Sequence, residues 1–494
     1  MPTPRASFAF RAEACQRGRA GLIARMRLIR PYFSQLVLVA GLMGWSSAIQ
    51  AKDVRQLYQE SCAACHGEQM QGGLGSNLVD DLWKHGADDE NIARVIRDGA
   101  AENGMPGFGS TLDPAQVRAL VVYIREMGAQ AERSQRVFNQ PSTTTVSRGE
   151  EHAFRLEVIT DQLEVPWSMA FLPNGNMLVT EREGRLRVIE NGVLQANPVT
   201  GTPEVWAKGQ GGLLAVAVHP EYATNGWIYL AYSDPGRDGT AMTAIVRGRL
   251  QNVKWTDQQD VFRVPAALYK RGGVHFGCRL VFHDGYLYFT HGERGSSEDA
   301  QNLTRPNGKV HRIHDDGRVP TDNPFVGQRG AFPTIWTYGN RNPQGLALRP
   351  GTDELWETEH GPRGGDELNV IRPGRNYGWP IITYGMNYNG TPITGLTAKE
   401  GMEQPVIHWT PSIAVGDMAF YDGTAFPRWA GNLLVTSLAA QELRRLVIED
   451  GHVTHQEIIF KGIGRVRSVT VGPDGFVYLG LEAPGRIVRL VPAE

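Results

Sequence analysis

Met169-Ala-Phe-Leu-Pro-Asn-Gly-Asn-Met-Leu-Val-Thr180 joins two short aliphatic runs through a Pro-Asn-Gly turn. A break of this kind between β-favouring runs reads as one hairpin. The phrase returns as Val216-Ala-Val-His-Pro220 with Trp227-Ile-Tyr-Leu-Ala-Tyr232, and as Leu280-Val-Phe-His-Asp-Gly-Tyr-Leu-Tyr-Phe-Thr290. It recurs as Leu346-Ala-Leu-Arg-Pro350 with Glu354-Leu-Trp-Glu-Thr358, and as Met418-Ala-Phe-Tyr-Asp422 with Asn432-Leu-Leu-Val-Thr436. The last copy is Val469-Thr-Val-Gly-Pro-Asp-Gly-Phe-Val-Tyr-Leu479. The copies start 47 to 72 residues apart, room for about four strands each plus loops. Radial repetition of four-stranded units is the mark of a β-propeller, and six copies predict six blades. A pair of sandwiches would not repeat one hairpin at this period. The wider spacings fall in the middle units, so one face is expected to carry long loops, the usual place for a site.

Composition agrees. Of 494 residues 58 are glycine, about 12%, and normal hydrophobicity (41%) with that excess favours many short strands and tight turns. A charge of -2 gives no basic footprint for nucleic acid, and four cysteines exclude a disulfide-stapled scaffold. The length predicts more than one domain.

Residues 1–51 read as an export signal. They hold seven arginines against one acid, Glu13, a local charge of +6 that leaves -8 on the rest. The apolar run Tyr32–Gly44 and the small residues ending Ser47-Ala-Ile-Gln-Ala51 complete the three parts of a signal peptide. The run is short for a membrane span. Met26-Arg-Leu-Ile-Arg30 is the conventional place for such a signal to begin, so Met26 is the expected true start, and Cys15 then lies outside the working protein. The mature chain is expected in the periplasm, beginning near Lys52.

Cys62-Ala-Ala-Cys65-His66 places two thiols on one helical turn beside an imidazole. Two such thiols add to the vinyl groups of a haem, and the imidazole falls beneath the iron. A thioredoxin-type dithiol would need a surrounding βαβ pattern, and half a zinc site would need a second Cys/His pair nearby. The opposite axial position needs a soft donor. Met105, in Asn103-Gly-Met-Pro-Gly-Phe-Gly109, lies in a loop suited to it, whereas Met70 is too close to the attachment turn to cross the ring. Asp113-Pro114 opens an amphipathic helix as N-cap and first residue. In the order of these parts, residues 52–128 resemble a class I cytochrome c. Residues 129–154, polar and without apolar period up to about 150, read as a linker to a propeller over 155–494. The expected fold class is therefore mainly β, a six-bladed β-propeller preceded by a small all-α cytochrome c domain.

Several polar residues stand where blade-connecting turns meet strands. His275, in Gly272-Gly-Val-His-Phe-Gly-Cys-Arg279, precedes a strand among glycines; it is either a general base or a turn-fixing imidazole. Gln210 in Lys208-Gly-Gln-Gly-Gly212 and the Arg341-Asn342 pair repeat that placement in other units, which points to a shared central site. Gly361-Pro362-Arg-Gly-Gly-Asp366-Glu367, with Tyr377 ten residues on, offers carboxylates and carbonyl oxygens, a calcium set or an acidic turn. Arg465 and Arg467 share one side of a strand and are able to grip carboxylates. Cys278 reads as a small buried hydrophobe.

Taken in order, Gly209-Gln-Gly-Gly-Leu-Leu214, His275-Phe-Gly-Cys-Arg-Leu280, Arg341-Asn-Pro-Gln-Gly345, Glu359-His-Gly-Pro-Arg-Gly-Gly-Asp-Glu367 and Asn376-Tyr-Gly-Trp-Pro380 resemble the glucose/sorbosone dehydrogenase family of soluble aldose dehydrogenases, over about 155–491. These depend on pyrroloquinoline quinone (PQQ). The resemblance implies that His275 takes the proton from the anomeric hydroxyl while hydride passes to the quinone, and that Arg341 stabilises the negative charge that develops. It implies cofactor contacts from Gln210, Arg341, Asn342, Arg465 and Arg467. It implies a PQQ-polarising calcium on the main-chain oxygens of Gly361 and Pro362, and a structural calcium at Glu367 and Tyr377. Two departures stand out. Ala439 replaces a lysine that contacts the cofactor in the family, with Arg444, Arg445 or the Arg465/Arg467 pair as possible replacements, and Ala414-Val-Gly-Asp417-Met418 replaces Pro-Ser-Gly-Met.

The two halves predict a quinohaemoprotein: aldoses oxidised to lactones, electrons passed to the covalent haem c through Cys62, Cys65, His66 and Met105, then to a cytochrome or other respiratory acceptor. A small-molecule sugar, no nucleic acid and no stable membrane span complete the expectation. The rivals are a calcium-dependent propeller lactonase, which leaves the haem without a task, and a non-enzymatic cytochrome-linked binding propeller.

Overall fold

The computed structural model describes residues 52–80 and 82–493. The export signal and the start at Met26 lie outside the described residues.

The first domain is helical. Helix α1 (Val54–Ser61) is capped by Asp53, whose carboxylate accepts from Gln56 N–H at 3.0 Å. A short turn, α2 (Ala63–His66), carries the second cysteine and the histidine of the attachment motif. Helix α3 (Asp89–Asp98) is capped by Asp88, and α4 (Pro114–Gln135) by Asp113 in a reciprocal capping box with Gln116. Helices α1 and α4 pack on each other, with Tyr58 and Tyr123 edge to face at 5.8 Å.

Six antiparallel sheets follow. Their innermost strands are Pro166–Phe171, Leu213–Val218, Leu280–His283, Pro343–Leu348, Val415–Phe420 and Val466–Val471. Each touches the next and the last touches the first, closing the ring. The six repeated phrases are the inner hairpins of these six blades. The first five sheets are each formed by consecutive strands; the sixth takes its outer strand, Ala153–Thr160, from the start of the propeller and pairs it with Arg486–Pro492. Phe154 on that strand is fully buried among Trp429, Leu443 and Val488.

The segment 129–154 differs from a plain linker. The helix continues to Gln135, since Ala129 and Ala131 favour it and Glu132 pairs with Arg136 one turn on at 3.0 Å. Ser147–Arg148 already pairs with the closing strand, so the sheet begins before residue 155. Propensity without burial left no apolar period to read there.

Candidate active site

The residues singled out in the connecting turns converge at the start of the inner strands. Gly209 and Gly273 lie so close that a Cβ on Gly209 would sit 2.4 Å from the Gly273 oxygen. This contact brings Gln210 to His275, whose N–H donates to Gln210 Oε1 at 2.7 Å. His275 itself adopts φ +53, a costly conformation for a non-glycine residue, and Gly292 leaves room for it: a Cβ there would lie 2.3 Å from the His275 oxygen. His275 Nδ1 is hydrogen-bonded to Glu293. Burial, opposed by the Glu293 contact, holds this imidazole below the usual histidine range. A neutral ring with Nδ1 against a carboxylate leaves Nε2 as the acceptor.

Arg341 is 5% exposed, and its Nη1 donates to the oxygens of His360 (3.0 Å) and Gly361 (2.7 Å) while Nε has no protein partner. Asn342 is buried and accepts from Gly277 N–H at 3.3 Å and from Gln344 Nε2 at 3.2 Å. Gln344 in turn accepts from Arg467 at 2.7 Å, so one polar network runs from the His275 turn to the sixth blade. Arg465 and Arg467 share one protein carboxylate, Glu482, with Nε contacts of 2.8 and 2.6 Å.

Arg341, Gly361, Glu367 and Tyr377 line one cavity of about 10 Å³, the size of a single ion or water. Glu359 also lines it, and Glu357, Glu359 and Glu367 are buried on one pair of strands: burial first lifts Glu359 to about 7, and burial with the neighbouring Glu359 holds Glu357 and Glu367 well above the carboxylate range. Glu357 Oε1 and Asn369 Oδ1 are buried acceptors without donors. The Glu359 and Glu367 carboxylates of this lining, with the unmet Glu357 and Asn369 oxygens on the same pair of strands, would suit a hard cation such as calcium beside the Arg341 guanidinium. Among the described residues no three His, Cys, Asp or Glu side chains close into a metal-holding group, so main-chain oxygens such as those of Gly361 and Pro362 would complete the shell. The Tyr377 phenol is already committed, donating to the Val370 oxygen at 2.6 Å and accepting from Arg372 N–H at 2.9 Å.

Ala439 is exposed on the turn after Leu433–Ser437. Arg444 and Arg445 do not replace the missing lysine. They are held by Glu442 and Glu457 within the fifth blade. Asp417 is buried against Arg279 at 2.8 Å, tying the end of the His275 turn to the fifth blade. Cys278 is a core residue, its thiol pushed up to about 12 by burial.

In the helical domain His66 Nδ1 lies 2.8 Å from the Ser76 oxygen, which fixes the proton there and leaves Nε2 for a metal. A Cβ on Gly75 would meet the imidazole at 2.8 Å, so only glycine fits beside it. Cys62 and Met105 flank the same apolar cluster as Leu78, Val79, Trp83 and Phe108, while Met70 is fully buried in the helical core. Cys62 and Cys65 are not joined in a disulfide. This lining fits a covalently attached haem.

Sequence reading missed Glu293, Gln344, Glu357, Glu359 and Glu482. Each lies 15 or more residues from its main partner or has no charge-coded spacing to it. Gln344 and Glu359 lie inside quoted motifs and Glu357 inside a repeat phrase, but nothing in those patterns singled them out.

The propeller thus gathers His275, Arg341 and the Glu359/Glu367 carboxylates at the start of its inner strands, and a helical domain bearing Cys62, Cys65 and His66 precedes it. The chain belongs to the glucose/sorbosone dehydrogenase family, whose model matches residues 163–489, and residues 49–124 match cytochrome c oxidase, cbb3-type, subunit III. The aldose sugar dehydrogenase of Escherichia coli strain K12 is 44% identical over 345 residues, 68% of this chain and 92% of that protein. The PQQ-bound aldose sugar dehydrogenase of Streptomyces coelicolor superposes with a TM-score of 0.57 at 25% identity, covering 70% of this chain and 99% of that one. The helical domain is 38% identical over 81 residues to the cbb3-type cytochrome c oxidase subunit FixP of Azorhizobium caulinodans, 16% of this chain and 27% of that protein.

Proposed function

We propose that the protein is a periplasmic quinohaemoprotein that oxidises the anomeric hydroxyl of an aldose to the lactone and passes the electrons to a covalent haem c. The observation that carries this reading is the half-buried His275 paired with the buried Glu293 carboxylate near Arg341, in a chain that also bears Cys62, Cys65 and His66. When bound, PQQ would supply the two-electron acceptor and calcium the electrophile that polarises it. His275 Nε2 takes the hydroxyl proton, Glu293 keeps the Nδ1 proton in place, and Gln210 holds the strained backbone of His275. Arg341 offers a fixed positive charge where negative charge develops. Asn342 and Arg341 would contact the cofactor, and Arg467 and Arg465, braced on Glu482, would face its carboxylates with their remaining donors. Gly361 and Pro362 would hold the cofactor's calcium, and Glu367, with Glu357 and Glu359 behind it, a structural one near Tyr377. His66 and Met105 would be the axial ligands of the haem. The reading of residues 26–51 as an export signal supports the compartment. Among the described residues no helix is long and apolar enough to cross a membrane. A respiratory cytochrome is the expected onward acceptor.

The test is an anaerobic visible spectrum before and after PQQ, calcium and an aldose are added. Haem bands that turn to the reduced form only with all three present support the reading, and His275→Asn should slow that reduction about 10²- to 10⁴-fold with the oxidised spectrum intact. A haem that responds to dithionite but to no aldose would favour the lactonase or the binding propeller.

A further inference from the structure

The two domains meet on the loop that forms one wall of the candidate site. On its inner side, Gly361 accepts from Arg341 at 2.7 Å and its N–H donates to Asp366 Oδ1 at 2.9 Å. On its outer side, Arg363 grips Glu126 of helix α4 through two hydrogen bonds, 2.8 and 2.7 Å. Both side chains are mostly covered, at 29% and 21% exposure, unlike a freely solvated pair. Gly364 has φ +84, and a Cβ there would stand 3.1 Å from Val122, so the helix rests directly on the loop. Arg363 and Met386 exchange two backbone hydrogen bonds of 2.9 Å, and the Met386 side chain is fully buried within the apolar cluster of the helical domain. Arg118 donates to the Tyr384 oxygen at 2.6 and 3.1 Å, and the Tyr384 ring is stacked on His408 at 3.8 Å. Val54 N–H reaches the Gly390 oxygen at 3.0 Å.

We propose that this contact is a built electron-transfer interface: Glu126, Arg118 and Val122 seat the haem domain on the outer face of the Gly361–Glu367 loop, so that electrons leave the propeller through a fixed wall and not by encounters of a swinging domain. The proposal rests on the redox reading above. An interface between domains that only share a tether is polar and loose; here a propeller methionine completes the core of the other domain. The accounting is simple. Oxidation of the anomeric C–OH to C=O releases two electrons and two protons. The haem iron takes the electrons one at a time, Fe(III) to Fe(II), and an external one-electron acceptor reoxidises it between them and again after; the protons go to water. Glu126, Arg118 and Val122 are positioning residues, since none of them touches the reacting atoms.

The decisive variant is Glu126→Arg in the full haem-loaded chain, which sets two guanidinium groups against each other. Four quantities are followed: the maximum dimension by small-angle X-ray scattering with and without PQQ, the oxidised haem spectrum, aldose oxidation coupled to a dye that draws electrons from the propeller, and the rate of haem reduction by aldose. The expected result is a larger dimension, an unchanged haem spectrum and dye rate, and haem reduction slowed at least tenfold, with Arg363→Glu in the same chain restoring the compact dimension. Haem reduction at the wild-type rate in Glu126→Arg, whether the particle expands or not, overturns the proposal. An expanded particle in the unaltered protein also overturns it. Failure of the unaltered haem to be reduced by any aldose would instead sink the redox reading, while the scattering arm would still report on the docking.

Discussion

His275 is held in a conformation it would not adopt alone, and the cost of φ +53 is met by close neighbours that only glycine permits at 209 and 292. Its chemistry follows from two opposed effects. Burial lowers its proton affinity and the Glu293 carboxylate raises it, with burial the larger. As the proposed base His275 would be active when neutral, so kcat/KM should fall on the acid side of the ordinary histidine value of about 6.5 and be level at neutral pH. Glu293→Gln removes the effect that raises the affinity and the anchor of the ring. The acid limb should move to still lower pH, and kcat should drop by about 10²-fold or more. A pH–rate profile of both proteins checks this, and an unmoved limb would assign it to another group. His275 was legible because flanking glycines and a following strand mark a site in the local sequence. Glu293 was not, because it lies 18 residues away and meets His275 only once the third blade's inner hairpin has folded.

At the scale of the element, the third blade contains a buried lysine that no motif announced. Lys309 opens the strand Lys309–His314, is fully buried, and donates to the oxygens of Asp299, Ala300 and Asn307 at 2.8 to 2.9 Å. Three ammonium hydrogens meet three carbonyls of the loop that also holds Glu293, through Asn307 Nδ2 on the Glu293 oxygen at 2.8 Å. Lys309→Met fills the volume but strands those acceptors. Urea unfolding should show a loss of about 3 kcal/mol or more, since each buried unmet acceptor costs roughly 1–3 kcal/mol. A near-neutral result would show that water takes the place of the ammonium. The same scale explains the linker. Asp113 and Pro114 announce where α4 begins, but its end is set by propensity and an exposed Glu132–Arg136 pair, which carry no apolar period to read.

The whole molecule depends on closure. The ring of six sheets is closed by the last blade borrowing a strand from the beginning of the propeller, which ties the two ends together and leaves each blade only a short outer edge. Phe154 is the buried anchor of that strand, and Phe154→Ala should cost about 3–5 kcal/mol, read as an earlier midpoint of propeller tryptophan fluorescence in urea. An unmoved midpoint would place the closure elsewhere. The number of blades and the Cys-x-x-Cys-His turn of the cytochrome c domain were set by the sequence alone, because a turn between two aliphatic runs, or two thiols and an imidazole on one helical turn, are short-range patterns that fold the same way wherever they occur. The tertiary structure decided the rest. It chose Glu293 for His275 and Glu482 for the paired arginines, set the Glu359 and Glu367 carboxylates of facing strands into one ion-sized cavity, and laid α4 on the loop after Gly361. These contacts join different strands, turns or domains, from 8 residues apart for Glu359 and Glu367 to 237 for Arg363 and Glu126. Their partners are selected by the packing of the closed ring, and nothing in their local spacing encodes them.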